Sequence, residues 1–184
     1  MADVSDIFMR TEFRAFRAAV EQGGVVRAIP VKGIASSPRS FLDRMEDYAR
    51  SLGAKGMGYM IWTGGACRGP IAKFLAEPVL RELSDRCGTG EGDVVFFLAD
   101  KAQAVNRIAG EIRAKLGREL NLAETGVCRF CWVVDFPMYE RDPQTGQTVF
   151  SHNPFSMPQG GMEALNTQDP LDIRAYQYDI VCNG

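Results

Sequence analysis

The sequence predicts an α+β fold: a two-layer sandwich of a mainly antiparallel sheet with helices on one face. Three observations predict it. Two amphipathic patterns, at 36–53 and 101–120, each carry a single apolar stripe that needs a sheet to cover. The runs VVRAIPVKG (25–33), GMGYMIWTGG (56–65) and DVVFFLAD (93–100) are β-branched or apolar and supply that sheet. Strands and helices stacked as two layers around one core are the natural arrangement for such a set.

In chain order, EFRAFRAAV (12–20) alternates apolar and basic residues, and its period fits either a strand or an amphipathic helix. Taken as a strand, it forms a hairpin with 25–33 across the Gly23–Gly24 break. Pro30 restricts 25–33 to an edge or a bulge, because proline has no N–H to donate. In SSPRSFLDRMEDYARSLG (36–53), Ser37 suits the N-cap, Pro38 the first helical position and Gly53 the stop. Phe41, Met45, Tyr48 and Leu52 make its stripe. PIAKFLAEPVLRELSDRCG (70–88) holds a short apolar segment, then a helix from about Glu77–Pro78. The second amphipathic helix, 101–120, aligns Val105, Ile108, Ile112 and Leu116. The first two-thirds thus reads strand, strand, helix, strand, short helix, strand, helix.

After residue 121 the character changes, which divides the chain into 1–121 and 122–184. CRFCWVVDFPMYE (128–140) and AYQYDIVCNG (175–184) read as strands, and 128–136 is expected to pair antiparallel with 175–183 or with another chain. Between them lie a turn-rich stretch, RDPQTGQT (141–148), and a long irregular one, 152–172. A loop of that length inside a compact domain is usually functional or disordered. An apolar strand as the last element suggests a truncated boundary.

Bulk properties narrow the function classes. A chain of 184 residues suits one domain, or one compact domain with an appendage. A net charge of −2 makes the surface as a whole no magnet for phosphate, so nucleic-acid contact must come from a local patch or a larger parent protein. No apolar run approaches the ~18 residues of a membrane span. The start, MADVSDIFMR, lacks the basic-then-apolar layout of a signal peptide. Five cysteines without a regular framework read as reduced thiols in a cytosolic protein.

Few residues point to chemistry. Cys128-x-x-Cys131 resembles half a zinc site, but two more ligands at matching spacing are absent and strand residues three apart face opposite ways. The clusters GTGEG (88–92) and Gly64–Gly65 lack the Lys-Ser/Thr of a phosphate loop and read as turns. Tyr59 and Trp62 fit a strand core better than a base-stacking platform. Arg107, Arg113, Lys115 and Arg118 are interspersed with acids, as on a solvated helix face. His152 is the only histidine, in a loop stiffened by Pro154, Phe155 and Pro158. Asp135 and Asp179, each inside an apolar strand, need a partner or a functional site.

Several segments together resemble bacterial-type aspartyl-tRNA synthetases: WVVDFPMYE (132–140), SHNPFSMP (151–158) and AYQYDIVCNG (175–184), in that order and approximate spacing. The preceding VSDIF, GAKGMGYMIW, PIAKFL, GDVVFFLADK and LGRELNL resemble the GAD insertion domain of those enzymes. The resemblance covers nearly the whole chain. It implies a GAD/DCoH-like α+β insertion domain over 1–121 and a partial class II catalytic-domain segment over 122–184. It also implies a parent ligase of translation that activates L-aspartate with ATP and Mg2+ and charges tRNA(Asp). That parent is a cytoplasmic homodimer.

In the family, the histidine of the segment resembling SHNPF contacts the bound aspartate, and this carries over to His152. Many relatives have a second histidine where this sequence has Asn153, a pocket neighbour; the change is expected to accompany charging of tRNA(Asn) as well. Asp135 and Asp179 read as structural carboxylates. The three class II motifs and the anticodon-binding OB-fold are not in these 184 residues. The expectation is therefore an excised segment, inactive by itself, that holds no cofactor, metal or catalytic residue of its own. The alternative is a stand-alone GAD-like module that binds tRNA or a protein partner without catalysis.

Overall fold

The computed structural model describes residues 1–142 and 144–183, and the chain divides into two compact units, Met1–Ala123 and Glu124–Gly184. The first unit runs β1 (Ala2–Asp3), α1 (Ser5–Met9), α2 (Arg14–Glu21), β2 (Val25–Val31), α3 (Arg39–Ser51), β3 (Gly58–Thr63) and β4 (Ala66–Arg68). A 3-10 turn at Ala72–Phe74 then leads to α4 (Glu77–Cys87), β5 (Val94–Asp100) and α5 (Ala102–Glu119). Its sheet has the order β1-β2-β5-β3-β4 and is antiparallel at every pairing. The α+β class and the antiparallel sheet are as the sequence predicts.

The helices, however, cover both faces of that sheet. Successive residues of β5 enter two different cores. Val94, Phe96 and Leu98 pack with Ile29 and Val31, and with Leu42 and Met45 of α3 and Ile108 and Ile112 of α5. Val95 and Phe97 pack with Val26, Ala28 and Met60, and with Phe8 of α1, Phe16 of α2 and Leu83 of α4. The unit is three layers, not two with helices on one face. The physical reason is the run Val94–Leu98: side chains alternate across a strand, and an unbroken apolar run leaves neither face fit for water.

Most of the segment 12–20 belongs to that second helical layer as part of α2 (Arg14–Glu21), and it is not a strand in a hairpin with 25–33. Helical spacing gathers Phe13, Phe16 and Val20 against one core, and Phe8 meets Phe16 edge to face at 4.9 Å. The arginines Arg14 and Arg17 take the outer side. In α3, Pro38 is extended (φ −64°, ψ 149°) and is itself the N-cap, so the helix starts at Arg39 without a side-chain cap from Ser37. Gly64 and Gly65 form the β3–β4 turn with φ of 63° and 71°. Two left-handed residues in a row suit glycine and match the strand twist. The Glu91 carboxylate accepts both turn N–H groups, at 2.7 and 3.1 Å.

Pro30 sits where its missing donor does no harm. Val26 donates to Ser5 and accepts from Val4 on the β1 side of β2, so the even-numbered residues turn their backbone groups that way. β1 pairs only as far as Ala28, which leaves Pro30 facing an open edge.

Asp93 precedes β5 and is only 6% exposed. Its carboxylate accepts the N–H groups of Gly33 and Gly90, each at 3.0 Å, and the Lys32 ammonium at 2.9 Å. These bonds tie the β2–α3 loop to the glycine turn at 88–92. Burial pushes the Asp93 pKa up, but the three donors and the Lys32 charge outweigh it and hold the group below 3.8. A carboxylate depressed in the folded state contributes stability above its unfolded pKa of about 3.9 and loses it as pH falls through the folded value. Asp93→Ala should therefore cost about 2–3 kcal/mol at pH 7. The deficit should shrink as pH falls from about 3.9 through the folded value, in denaturant titrations of the two proteins.

The second unit contains β6 (Phe130–Val133), β7 (Phe136–Pro137), β8 (Tyr139–Arg141), β9 (Thr148–Phe150), α6 (Gly161–Thr167), a 3-10 turn at Pro170–Asp172, β10 (Arg174–Ala175) and β11 (Asp179–Cys182). Its strands form three antiparallel pairs: β6 with β11, β7 with β10 and β8 with β9. The expected partnership of 128–136 with 175–183 thus closes within the chain, Val133 opposite Asp179 and Phe130 opposite Cys182.

Two expectations change in this unit. The strand at 128–140 breaks at Asp135, which takes φ of +58°, and the stretch 152–172 is not wholly irregular because α6 lies inside it. Gly160 is left-handed and starts α6, and Ala164 buries its face. Met138, Ile173 and Ala175 form a small core in this unit, with Tyr139 packed against it. Two sequence readings touch residues outside those described: Pro143 in the turn at 141–148, and Gly184 at the end of the last strand.

Candidate functional site

The loop that carries the lone histidine is fastened at both ends. At its start Ser151 donates its N–H to Met138 O at 3.1 Å and its hydroxyl to Pro137 O at 2.5 Å. At its far end Tyr176 N–H bonds Met157 O at 2.8 Å and Gln159 N–H bonds Arg174 O at 2.7 Å. In between, the Asn153 side chain accepts Phe155 N–H at 3.1 Å and its carbonyl accepts Ser156 N–H at 3.2 Å. That is a turn closed by an Asn side chain, the local chemistry asparagine favours. Ser156 Oγ lies 3.2 Å from Gln177 Oε1.

His152 is exposed on this braced loop, its ring edge-to-face with Phe136 at 5.0 Å and 90°. Such a pair fixes ring orientation as well as position. An exposed imidazole offers one N–H donor, or two when protonated, to an anionic ligand. Asn153, its neighbour, spends its side-chain oxygen on the turn and keeps its amide N–H2 for other use.

Asp135 has the partner that the sequence demanded. Its carboxylate accepts Gln159 Nε2 at 2.7 Å, and its carbonyl accepts the Arg174 guanidinium at 3.0 Å. Asp179 is exposed at the start of β11, so its charge stays in water. The structure brings His152, Asn153, Phe136, Asp135 and Gln159 into one connected group. Sequence reasoning missed Phe136, Gln159 and Ser151, whose contacts span between 14 and 24 positions and leave no periodic trace. The abrupt Asp-Phe-Pro after an apolar run was the one available signal.

The other sequence candidates fall outside this group. Cys128 and Cys131 are both exposed, and no group of three or more His, Cys, Asp or Glu among the described residues is placed to hold a metal ion. Cys67 is kept protonated, its pKa pushed up to about 11 by burial and then by the Glu77 charge. Tyr59 packs on one core of the first unit and Trp62 on the other. Arg107 donates to Leu52 O at 2.8 Å and Lys115 pairs with Glu119 at 2.6 Å, as a solvated helix face would. No helix among the described residues is long and apolar enough to cross a membrane.

Comparison with known proteins adds two findings. Residues 16–109 match the GAD domain family. Along its whole length the chain is also similar to aspartate–tRNA(Asp/Asn) ligases. It is 53% identical to that of Acidiphilium cryptum over 184 residues, covering 100% of this chain and 31% of the ligase. It is 52% identical to that of Beijerinckia indica over 190 residues, covering 100% and 32%. With the ligase of Ehrlichia chaffeensis the identity is 50% over 183 residues, covering 99% and 31%. The chain thus spans about a third of the length of these relatives.

Proposed function

This chain belongs to the GAD domain family, and from that premise we propose that it is one segment of an aspartate–tRNA ligase. The observation that carries this reading is that similarity to such ligases does not stop at the GAD match of 16–109 but runs through the unit holding His152. A free-standing GAD-like adaptor would not need that unit. Residues 1–121 are then the GAD insertion and 122–184 a part of the class II catalytic domain.

The whole ligase activates L-aspartate by attack of its carboxylate on the α-phosphate of ATP, then transfers the aminoacyl group to the terminal ribose of tRNA. The relatives' names support tRNA(Asp) and tRNA(Asn) as acceptors. It works in the cytoplasm as a homodimer. ATP and Mg2+ belong to parts of the ligase outside this chain, since the three class II motifs are not among its residues.

This chain's own contribution is His152. Its imidazole donates a charge-assisted hydrogen bond to the substrate carboxylate, which positions aspartate without taking part in bond making. Asn153 lies beside it and supplies a neutral donor where a second histidine would carry charge.

Aspartate-dependent pyrophosphate exchange tests the assignment. The full-length ligase should show it, and the 184-residue chain should show no rate above a buffer control. Exchange that survives repurification of the short chain would overturn the segment reading. A full-length protein that fails to charge tRNA with aspartate would overturn the ligase reading.

A further inference from the structure

We infer that Asp135 is a positioning residue for His152, linking the two ends of the histidine loop; this rests on the aspartate-binding reading of His152. Asp135 stands between β6 and β7 with φ of +58°. Aspartate is among the few side chains that tolerate this left-handed backbone, and it turns the chain so that the next residue, Phe136, meets the imidazole at 5.0 Å. The same residue reaches the far end of the loop. Its carboxylate takes Gln159 Nε2 at 2.7 Å, and that amide also bonds Ala175 O at 3.3 Å. Its carbonyl takes Arg174 at 3.0 Å. One exposed residue therefore holds the ring that orients His152 and the strand that anchors its loop.

Core packing does not account for this arrangement. Asp135 buries no side chain, and hydrogen bonds on a surface add little to global stability. What they fix is a direction, that of the imidazole. A ligand-binding donor held within a few tenths of an ångström loses less freedom on binding than a mobile one.

The chain has one histidine, so its imidazole protons give a single set of nuclear magnetic resonance signals, displaced by the ring of Phe136. In Asp135→Ala and in Gln159→Ala these signals should move toward those of an unstructured histidine, while the signals of the first unit stay in place. Gln159→Ala leaves the backbone at Asp135 untouched, so it reports the link even where Asp135→Ala perturbs folding. Asp135→Asn keeps an acceptor oxygen and tolerates the left-handed backbone, and should retain the displaced signals. Imidazole signals unchanged in both alanine variants would overturn the inference.

In the full-length ligase, Asp135→Ala should raise KM for aspartate roughly 10-fold, with kcat and KM for ATP within about 2-fold. Adding it to His152→Ala should cause no further loss, since coupled groups are not additive. If His152→Ala weakens aspartate use and Asp135→Ala does not, the positioning role fails and the aspartate reading stands. If His152→Ala itself has no effect, the aspartate reading fails, and the imidazole signals still decide whether Asp135 holds the ring.

Discussion

Phe97→Ala should destabilise the first unit by about 3–5 kcal/mol, the loss typical of removing a large aromatic side chain from a packed core. Phe97 is fully buried in β5, edge-to-face with Phe8 at 5.5 Å and near Phe16 at 6.3 Å. Both partners come from the helical layer that the sequence did not place on that side. The loss is a large share of the roughly 5–15 kcal/mol by which domains are stable. Denaturant unfolding followed by circular dichroism measures it. Phe96→Ala, on the opposite face of the same strand, serves as the matched control and should fall in the same range. A change below about 1 kcal/mol for Phe97→Ala, beside a large one for Phe96→Ala, would restore the one-sided sheet.

His152→Ala in the full-length ligase should lower kcat/KM for aspartate about 10- to 100-fold. The ring supplies a hydrogen bond to a carboxylate, an interaction of about 1.5–3 kcal/mol, and alanine leaves that carboxylate short of a donor. Binding of ATP should change little, because its determinants lie outside the residues of this chain. The same substitution in the 184-residue chain should alter stability by no more than about 1 kcal/mol, since only the contact with Phe136 is lost. Unchanged aspartate kinetics would make His152 an ordinary loop residue. A large loss of stability would show that its ring carries core packing.

The elements that were legible are those whose side chains obey one period. The stripes of α3 and α5 and the apolar run of β5 were each readable from spacing, and the structure places them within a residue or two of the expected bounds. The segment 12–20 was not, because Phe13 with Ala15 fits a strand as well as Phe13 with Phe16 fits a helix, and only the second core decides between them. The same cause hid the third layer. Each helix stripe announces that it needs a sheet, but not which face it takes. In the second unit His152 stood out as a lone titratable group among prolines. Its setting did not, because the bonds that hold the loop come from Pro137, Arg174 and Gln159, residues joined only by tertiary folding. Asp135 was visible as an anomaly and misread in form: the apolar strand around it bends there, and a carboxylate at a bend needs no burial.

The placement of Pro30 bears on how the molecule behaves when crowded. Beyond β1, strand β2 has a free side, and a free strand side can act as a template for the strand of another molecule. A template needs donors as well as acceptors. On that side the only backbone nitrogen past Ala28 within the strand is that of Pro30, which carries no hydrogen. An incoming strand would find one carbonyl and no N–H, so it could not continue the ladder. The proline thus acts as a terminator of sheet growth between molecules along the open end of β2.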